Sequence, residues 1–330
     1  MKNILIFIKK ISKRIKNDSF KQFISRIGLH SIIIYPKIKR MIYLKLLKNK
    51  FKNNRFIVKE INESKMYLDI KDNGISAELL FKGIREPFST EFFKNEIKKG
   101  DICVDIGANI GYYALLESRL VGDKGKVYAI EPVPENIKLL KRSIEINQYS
   151  NIDIFQLAIG DRNDSGFIHL FNGSNLHSMN KNNSFESKHS LPVKIITLDK
   201  FLEDKPYPNI IRMDTEGYEE EIIKGMEKTL SVQKPLKIFM EFHCCLLTDG
   251  GISLLKTLKS AGFKVKAFFN EPSSLILGEN MLLRTVHDIF QNGLGSLDNR
   301  SKSYNVDIDY IIQGIKFLKG NFFEVFFERD

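Results

Sequence analysis

From residue 101 onward, short apolar runs alternate with segments of helical periodicity, and this alternation constrains the fold more than any other feature. The runs Ile102–Ile106, Lys126–Ile130 and Ile210–Met213 are short and largely apolar, as buried strands are. Segments whose apolar residues have helical spacing separate them. Strands and helices that alternate in this way form βαβ units, which predict a mostly parallel sheet covered by helices.

The same pattern predicts the remaining elements of an α/β domain over residues 66–330, preceded by a helical N-terminal extension over residues 1–65. Further strands are expected at Ile152–Ile159, Phe167–Phe171, Val193–Leu198, Leu236–Phe242, Lys264–Phe269 and Phe322–Phe327. Helices are expected at Gly111–Leu120, Pro134–Asn147, Glu219–Leu230, Ile252–Ala261, Leu282–Gln291 and Ile308–Leu318.

The first sixty residues carry the net positive charge of the chain. They contain 17 lysines and arginines against 2 acids, whereas the rest of the chain holds 34 against 38. Ile4, Ile8, Ile11 and Ile15 share one helical face, which indicates a basic amphipathic helix, and shorter helices are expected near 20–27 and 38–47. The basic helix either contacts an anionic membrane surface or a partner, or caps the domain with its lysines in solvent.

The chain lacks the sequence signs of secretion and of membrane insertion. Its N-terminal apolar run, Ile4–Ile8, is too short for a signal peptide, and no run reaches the roughly 18 residues of a membrane span. Cys103, Cys244 and Cys245 cannot form a disulfide framework and do not have zinc-site spacing. We expect a cytoplasmic protein, in which residues 1–30 are the candidate segment for peripheral contact at the inner membrane face.

A glycine-containing loop follows the first core strand and precedes a helix. Gly107 and Gly111 lie four residues apart after Asp105, and Asn109 replaces the second glycine of the G-x-G-x-x-G pattern of dehydrogenases. The loop instead matches the looser D-x-G-x-x-x-G of enzymes that use S-adenosylmethionine. Asp105 suits the ammonium group of this cofactor, and the amides from Asn109 to Tyr112 suit its carboxylate.

Two further strand ends complete a predicted nucleoside site. Glu131 follows the second core strand, where an acid can accept hydrogen bonds from both ribose hydroxyls. Ala158 and Asp161 end the third strand, where they would lie beside adenine, although Asp161 alternatively only caps a β-turn. Because three strand ends in this order are more specific than any single motif, we predict S-adenosylmethionine as the cofactor.

Together these motifs resemble the FkbM-type methyltransferases over roughly residues 66–245. The resemblance is carried by Val104–Tyr113, Glu131-Pro132, Ala158–Asp161, Thr197–Asp199, Ile211–Gly217, Glu219–Glu221, Lys224-Gly225 and Met240–His243. It implies transfer of methyl groups from S-adenosylmethionine to hydroxyls of sugars, glycans, glycolipids or polyketides. The expected fold is a Rossmann-like class I methyltransferase sheet, seven-stranded and mostly parallel with an antiparallel last strand.

The ends of the fourth and fifth core strands present Asp214, Glu216, Glu241 and His243, which we expect to border the transferred methyl group. A sugar hydroxyl is a weak nucleophile, so a base beside it helps. His243 can accept a proton near neutral pH, and Asp214 could orient the acceptor, act as base or bind the cofactor. The acids could alternatively only pair with Arg212 and lysines. A divalent cation is an alternative that the sequence does not favour, and no metal ligand is assigned.

These residues predict an S-adenosylmethionine-dependent O-methyltransferase whose acceptor is a carbohydrate, a glycolipid or a related small molecule. An RNA methyltransferase that uses the basic arm and a non-catalytic binding module with the same fold are the alternatives. The segment Asp214–Gly217 stands where enzymes that methylate base amines carry N/D-P-P-F/Y, and this argues against nucleic acid. The acceptor, the methylated position and the oligomeric state are not fixed by the sequence.

Overall fold

The computed structural model describes residues 40–51, 54–171, 173–179, 189–243, 250–269, 308–315 and 322–330. The helices predicted near residues 4–15, 20–27 and 282–291 lie outside these ranges, as do Cys244 and Cys245. Within the described ranges, no helix is both long and apolar enough to span a bilayer.

Twelve strands are described, and the predicted core strands are among them. They are β1 (Phe56–Ile61), β2 (Ser64–Asp69), β3 (Ile102–Ile106), β4 (Lys126–Ile130), β5 (Ile152–Phe155), β6 (Ala158–Ile159), β7 (Asp164–Leu170), β8 (His189–Ile196), β9 (Ile210–Met213), β10 (Leu236–His243), β11 (Lys264–Phe269) and β12 (Phe322–Arg329).

Ten described helices accompany them. They are α1 (40–50), α2 (Ile75–Lys82), α3 (Pro87–Glu96), α4 (Tyr112–Val121), α5 (Pro134–Asn147), α6 (Leu198–Phe201), α7 (Glu219–Lys224), α8 (Glu227–Ser231), α9 (Gly250–Ser260) and α10 (Ile308–Ile315). Pro87 and Pro134 stand in the first turns of α3 and α5, where a missing amide hydrogen costs nothing. Gly83 ends α2 in the left-handed conformation that glycine adopts without strain.

The core is a seven-stranded sheet in the order β11-β12-β10-β9-β3-β4-β5. Strands β5, β4, β3, β9 and β10 run parallel, and β12 is antiparallel to both of its neighbours. A three-stranded sheet, β6-β8-β7, and the β1-β2 hairpin are separate from it. This arrangement confirms the predicted class I methyltransferase sheet with an antiparallel last strand.

Each core strand contributes apolar side chains to both faces of the sheet. In β3, Cys103 packs on one face and Val104 on the other, because successive side chains of a strand point to opposite sides. One face is covered by α7, α8, α9 and α10, and the other by α2, α3, α4, α5 and the hairpin. Strands buried on both faces account for the nearly continuous apolar runs in the sequence.

Two predicted elements are each divided in the structure. The third predicted strand, Ile152–Ile159, leaves the large sheet after Phe155, and Ala158-Ile159 pairs with β8 instead. The predicted helix Glu219–Leu230 is broken at Gly225, where a Cβ would lie 1.9 Å from the carbonyl oxygen of Gly160. A new helix, α8, then begins because Asp199 accepts hydrogen bonds from its first-turn amides.

The N-terminal part of the described chain packs on the sheet through α1 and the hairpin. Leu44, Leu47 and Phe51 contact the core, and the Tyr43 hydroxyl donates to the carbonyl of Leu80 at 3.0 Å. The helix predicted over 38–47 corresponds to α1, whereas the hairpin, which crosses the predicted boundary at residue 65, was not anticipated from the sequence.

Candidate active site

The register of the large sheet brings four strand ends to the same level. Ile106 pairs with Ile130 and with Met213, and Met213 pairs with Met240. The next residue on each strand is a predicted site residue; in sheet order these are Glu131, Gly107, Asp214 and Glu241. The sheet therefore assembles residues that are separated by more than one hundred positions in the sequence.

A cleft opens at this edge of the sheet, with about 630 Å³ of empty space when the part open to solvent is included. Its apolar walls include Ile106, Ile130, Leu157 and Ile159. The predicted site residues that line it are Gly107, Asn109, Glu131, Ala158, Asp214 and Glu216. A cleft with apolar walls and a few polar groups at the carboxyl ends of parallel strands is the usual ligand site in α/β proteins.

The loop after β3 requires glycine at its first turn. Gly107 has a φ of +83°, and a Cβ there would lie 2.1 Å from the carbonyl oxygen of Asp214. The amides of Gly107 and Ala108 both donate to the carbonyl of Ile130, at 2.9 and 3.0 Å. Asn109 then adopts a φ of +51° and donates its side-chain amide to the carbonyl of Ser174 at 2.8 Å.

Glu131 is held at the cleft by three nitrogen donors. Its Oε2 accepts from the amide of Asn109 at 2.8 Å, and its Oε1 accepts from the amide of Val133 at 2.9 Å and from Nδ2 of Asn136 at 3.2 Å. Burial raises the pKa of Glu131 to about 7, although these donors oppose the shift. A carboxylate has more lone pairs than these donors use, so it can still accept from a ligand hydroxyl.

The residues present fit a nucleoside cofactor such as S-adenosylmethionine. The buried Glu131 suits ribose hydroxyls, and the apolar walls beside Ala158 suit a flat base. The absence of a Cβ at Gly107 lets the loop approach β9 closely.

Four predicted cofactor residues lie outside the lining of this cleft. Asp105 is fully buried within β3 and faces Arg212, and Asp161 lines a separate groove beside Arg162. Gly111 begins α4, and a Cβ there would lie 2.4 Å from Leu140. Tyr112 points into the core.

The Tyr112 hydroxyl donates to the carbonyl of Arg85 at 2.8 Å, which anchors the segment before α3. This contact gives Tyr112 a role in holding Arg85 rather than a place in the cleft. The Arg85 guanidinium lies 3.6 Å from Asp214 and 3.6 Å from Glu241.

Asp214 stays ionised over the whole neutral range. Burial opposes its ionisation, but Arg212 at 3.1 Å and Arg85 at 3.6 Å outweigh that effect and lower its pKa to about 2. A carboxylate with so low a pKa is a weak base, and Asp214 is therefore better suited to orienting a bound group.

His243 lies among three carboxylates beneath the cleft. Its Nδ1 is 3.2 Å from Glu219, and its Nε2 is 3.5 Å from Glu216 and 3.8 Å from Glu241. Burial favours the neutral ring, but Glu219 and the other acids outweigh it and raise the pKa of His243 well above its ordinary value. The structure therefore gives a charged imidazolium instead of the histidine near neutrality that the sequence suggested.

Glu216 and Glu131 are both acids at the cleft with a pKa near neutrality, but Glu131 is held by three nitrogen donors, which leaves Glu216 as the better candidate for proton transfer. Burial raises the pKa of Glu216 to about 7; His243 opposes the shift and Asp214 adds to it. Its backbone has a φ of +52°, and Oγ of Ser178 donates to its carbonyl at 2.9 Å. Non-glycine residues in this left-handed region are strained and concentrate at functional sites.

Glu219 is a site residue that sequence reasoning missed. It is fully buried, and its Oε1 accepts from the amides of Thr215 and Gly217, both at 3.2 Å, so it fixes the turn that carries Glu216. Asn136 was also missed, although it could have been predicted, because it lies in the first turn of the helix that follows Glu131. Arg85 has no such signal, because nothing near it in the sequence indicates burial.

Comparison with known proteins identifies the domain. The model of the methyltransferase FkbM domain matches residues 105–265, and that of protein-L-isoaspartate (D-aspartate) O-methyltransferase matches residues 24–166. Hexuronic acid methyltransferase AglP of Haloferax volcanii is 30% identical over 150 residues, which cover 45% of this chain and 58% of that protein. Methyltransferase 1 of Beauveria bassiana is 26% identical over 145 residues, covering 38% of this chain and 57% of that protein.

The chain thus spans little more than half the length of these two curated relatives. Among solved structures, methyltransferase FkbM from Methylobacillus flagellatus has a TM-score of 0.37 and 20% identity, covering 54% of this chain and 44% of that one. The matches confirm the predicted family and S-adenosylmethionine as its cofactor. Residues 105–265 of this chain thus match the FkbM methyltransferase domain, the family that its motifs resemble.

Proposed function

We propose that this protein is an O-methyltransferase that transfers the methyl group of S-adenosylmethionine to a hydroxyl of a carbohydrate, a glycolipid or a related small molecule. The observation that carries the proposal is that Glu131 and Glu216 line the same cleft. In this proposal, Glu131 binds the ribose of the cofactor and Glu216 accepts the proton of the acceptor hydroxyl.

In this proposal, Gly107, Asn109, Glu131 and Ala158 hold the cofactor. When bound, S-adenosylmethionine supplies an electrophilic methyl group. Glu131 accepts hydrogen bonds from the ribose hydroxyls, and the apolar residues beside Ala158 contact the adenine. Asp105, Gly111, Tyr112 and Asp161 act from outside the cleft: the first three position the loop and the segment before α3, and Asp161 lies in the adjoining groove.

Glu216 is the proposed general base. Its pKa of about 7 makes a large fraction ionised at neutral pH while it still binds a proton well. His243, 3.5 Å away, holds the Glu216 carboxylate and is itself held by Glu219. Asp214 orients the acceptor or the cofactor at the same edge, and Glu241 faces His243 and Arg85 from below.

The proposed acceptor rests on the relative whose name states its substrate. AglP is described as a hexuronic acid methyltransferase, and its similarity to this chain supports a sugar acceptor. Transfer of a methyl group to a hydroxyl fits a site whose base is a carboxylate with a pKa near neutrality. A sugar linked to a lipid would also give the basic N-terminal residues a membrane surface to contact.

The membrane part of this proposal has its own test. Met41, Ile42 and Leu46 of α1 are exposed beside Lys45 and Lys48, a combination that suits an anionic bilayer surface. We expect the full chain to sediment with vesicles that contain anionic lipid, and deletion of residues 1–30 to reduce this binding without changing cofactor affinity. Equal sedimentation of the two proteins would contradict a role for residues 1–30 and would restrict the contact to α1.

An acceptor screen tests the reaction itself. Purified protein is incubated with S-adenosylmethionine labelled in its methyl group and with free sugars, lipid-linked glycans or RNA. Methylation of a sugar hydroxyl gives an ether, so we expect label that enters the sugar and survives mild alkaline hydrolysis. Label that mild alkali releases would indicate a carboxyl ester, and label in RNA would support the nucleic-acid alternative; either result contradicts the proposal. A protein that binds the cofactor but transfers no label to any class would support the non-catalytic binding module.

A further inference from the structure

Three glutamates from distant parts of the chain meet below the candidate active site. Glu86 precedes α3, Glu241 lies near the end of β10, and Glu324 lies in β12. One carboxylate oxygen from each lies within 4.8 Å of those of the other two. Glu241 and Glu324 are direct partners in the antiparallel register of the sheet. We call these three residues the glutamate cluster.

Within the part of the chain that the structure describes, two members of the glutamate cluster have carboxylate oxygens without a hydrogen bond. Glu324 is 1% exposed, and among the described residues neither of its oxygens has a hydrogen-bond partner. Glu241 is 5% exposed, and its Oε2 lacks a hydrogen bond within the same ranges. A buried carboxylate is costly unless it is protonated, paired with a cation or bound to a metal. The side chain of Glu324 therefore requires an explanation that the neighbouring residues do not supply.

Arg85 does not supply enough positive charge for this cluster. Its guanidinium contacts Glu86 through Nε, and Nη2 lies 3.6 Å from both Asp214 and Glu241. One charge is thus shared among three acids, and among the described contacts no ion pair joins Arg85 to Glu324, although Arg212 and Arg85 are near enough to oppose the rise in the pKa of Glu324. Burial and the neighbouring acids raise the pKa of Glu241 and of Glu324 well above the ordinary value, as expected where a compensating cation is missing.

We propose that Glu86, Glu241 and Glu324 form a binding site for one hard divalent cation such as Mg²⁺ or Mn²⁺. Three carboxylates and no sulfur or imidazole donor are the ligand set that such ions prefer. The cation joins the start of α3 to β10 and β12. Because Glu241 also lies 3.8 Å from His243, a cation held by Glu241 would fix a residue that borders the active site.

The site differs from the other acidic group at the cleft. Asp214, Glu216 and His243 also bring one ligand atom each within 4.8 Å, but His243 is engaged by Glu219 and Arg212 neutralises Asp214. Among the described residues, Glu324 of the glutamate cluster has no such hydrogen-bond or ion-pair partner. Glu86 and Glu324 also lie outside residues 105–265, so the family match does not account for them.

Manganese binding to the chelator-treated full chain, without S-adenosylmethionine, tests this proposal. Free Mn²⁺ is measured by the intensity of its sharp electron paramagnetic resonance signal, which decreases on binding because the signal of bound ion is broad. We expect about one ion per chain and a Kd in the micromolar range, weakened at least about tenfold by Glu324→Gln because one charged ligand is lost. Glu328→Gln is the matched control, since Glu328 lies on the same strand but pairs with Lys266 at 2.8 Å. This control should bind Mn²⁺ as the wild type does.

The alternative location is tested with Glu216→Gln, which should leave Mn²⁺ binding unchanged. Loss of binding in this variant but not in Glu324→Gln would place the ion at the cleft and overturn the proposal, as would a wild type that binds no Mn²⁺. Each variant is checked by circular dichroism. If Glu324→Gln does not fold, Glu324→Asp retains the charge with a shorter reach and should still weaken binding. The measurement is independent of methyl transfer, so its failure leaves the proposed function intact.

Discussion

The Nη2 atom of Arg212 lies 3.1 Å from Oδ2 of Asp214, two residues further along the chain. Nη1 of the same guanidinium lies 3.1 Å from Asp105 on the adjacent strand, and its carbon lies 3.9 Å from the centre of the Tyr113 ring. One fully buried arginine therefore neutralises two acids at the centre of the sheet edge, and the ionised state of Asp214 depends on it.

Removal of Arg212 should destabilise the fold. Arg212→Met leaves Asp105 as an uncompensated buried charge, and we expect a loss of about 3–5 kcal/mol in urea unfolding. Arg212→Lys should lose less unfolding free energy than Arg212→Met, because lysine keeps the positive charge. It should still be less stable than the wild type, because lysine cannot contact both acids as a guanidinium does. Arg162→Met, at an exposed arginine that pairs with Asp161, is the control and should leave the unfolding midpoint almost unchanged. Equal unfolding midpoints for Arg212→Met and the wild type would contradict this account.

Gly107 should tolerate alanine far less well than another glycine of similar conformation. At Gly107 a Cβ would lie 2.1 Å from a backbone oxygen, whereas at Gly100, with a φ of +87°, it would meet nothing within 4 Å. Gly100→Ala should therefore cost about 1 kcal/mol of backbone strain, and Gly107→Ala clearly more. Chemical denaturation of both variants measures the difference. Equal losses of unfolding free energy in the two variants would mean that the loop can move away from β9 at little cost.

Methyl transfer should depend on the ionised form of Glu216. Because burial raises its pKa to about 7, kcat should rise as the pH increases through that value and level off above it. Glu216→Gln should lower kcat by about 10²–10⁴-fold, as is typical when a general base is removed. Glu220→Gln, which removes only a surface pair with Lys224, is the control. An unchanged pH profile in Glu216→Gln would assign the proton transfer to another group.

The sequence predicted most of the large sheet because its strands are buried on both faces and therefore appear as short apolar runs. The β1-β2 hairpin escaped prediction, since β1 buries only Ile61 and Lys59, Glu60 and Lys65 interrupt the apolar pattern. The division of Ile152–Ile159 into two strands depends on pairing with β8, which no local pattern reveals.

The same distinction applies to the site. Gly107, Glu131 and Asp214 were predicted because each follows a core strand, where parallel strands place residues at one edge. The protonation of His243 was not predicted, because its charge results from contacts with Glu219 and Glu216, which do not lie on the strand that carries His243. Proximity across the fold, as between Arg85 and Asp214, is a tertiary contact and leaves no trace in either local sequence.

Calorimetric titration of S-adenosylmethionine into the purified protein tests the central claim most directly, with Glu131→Ala as the variant and the exposed Glu135→Ala as its control. We expect the wild type and Glu135→Ala to bind with the same affinity, and Glu131→Ala to bind at least about tenfold more weakly because it loses the charge-assisted contact to the ribose. Binding of NAD in place of S-adenosylmethionine by the wild type, or equal binding by all three proteins, would contradict the account.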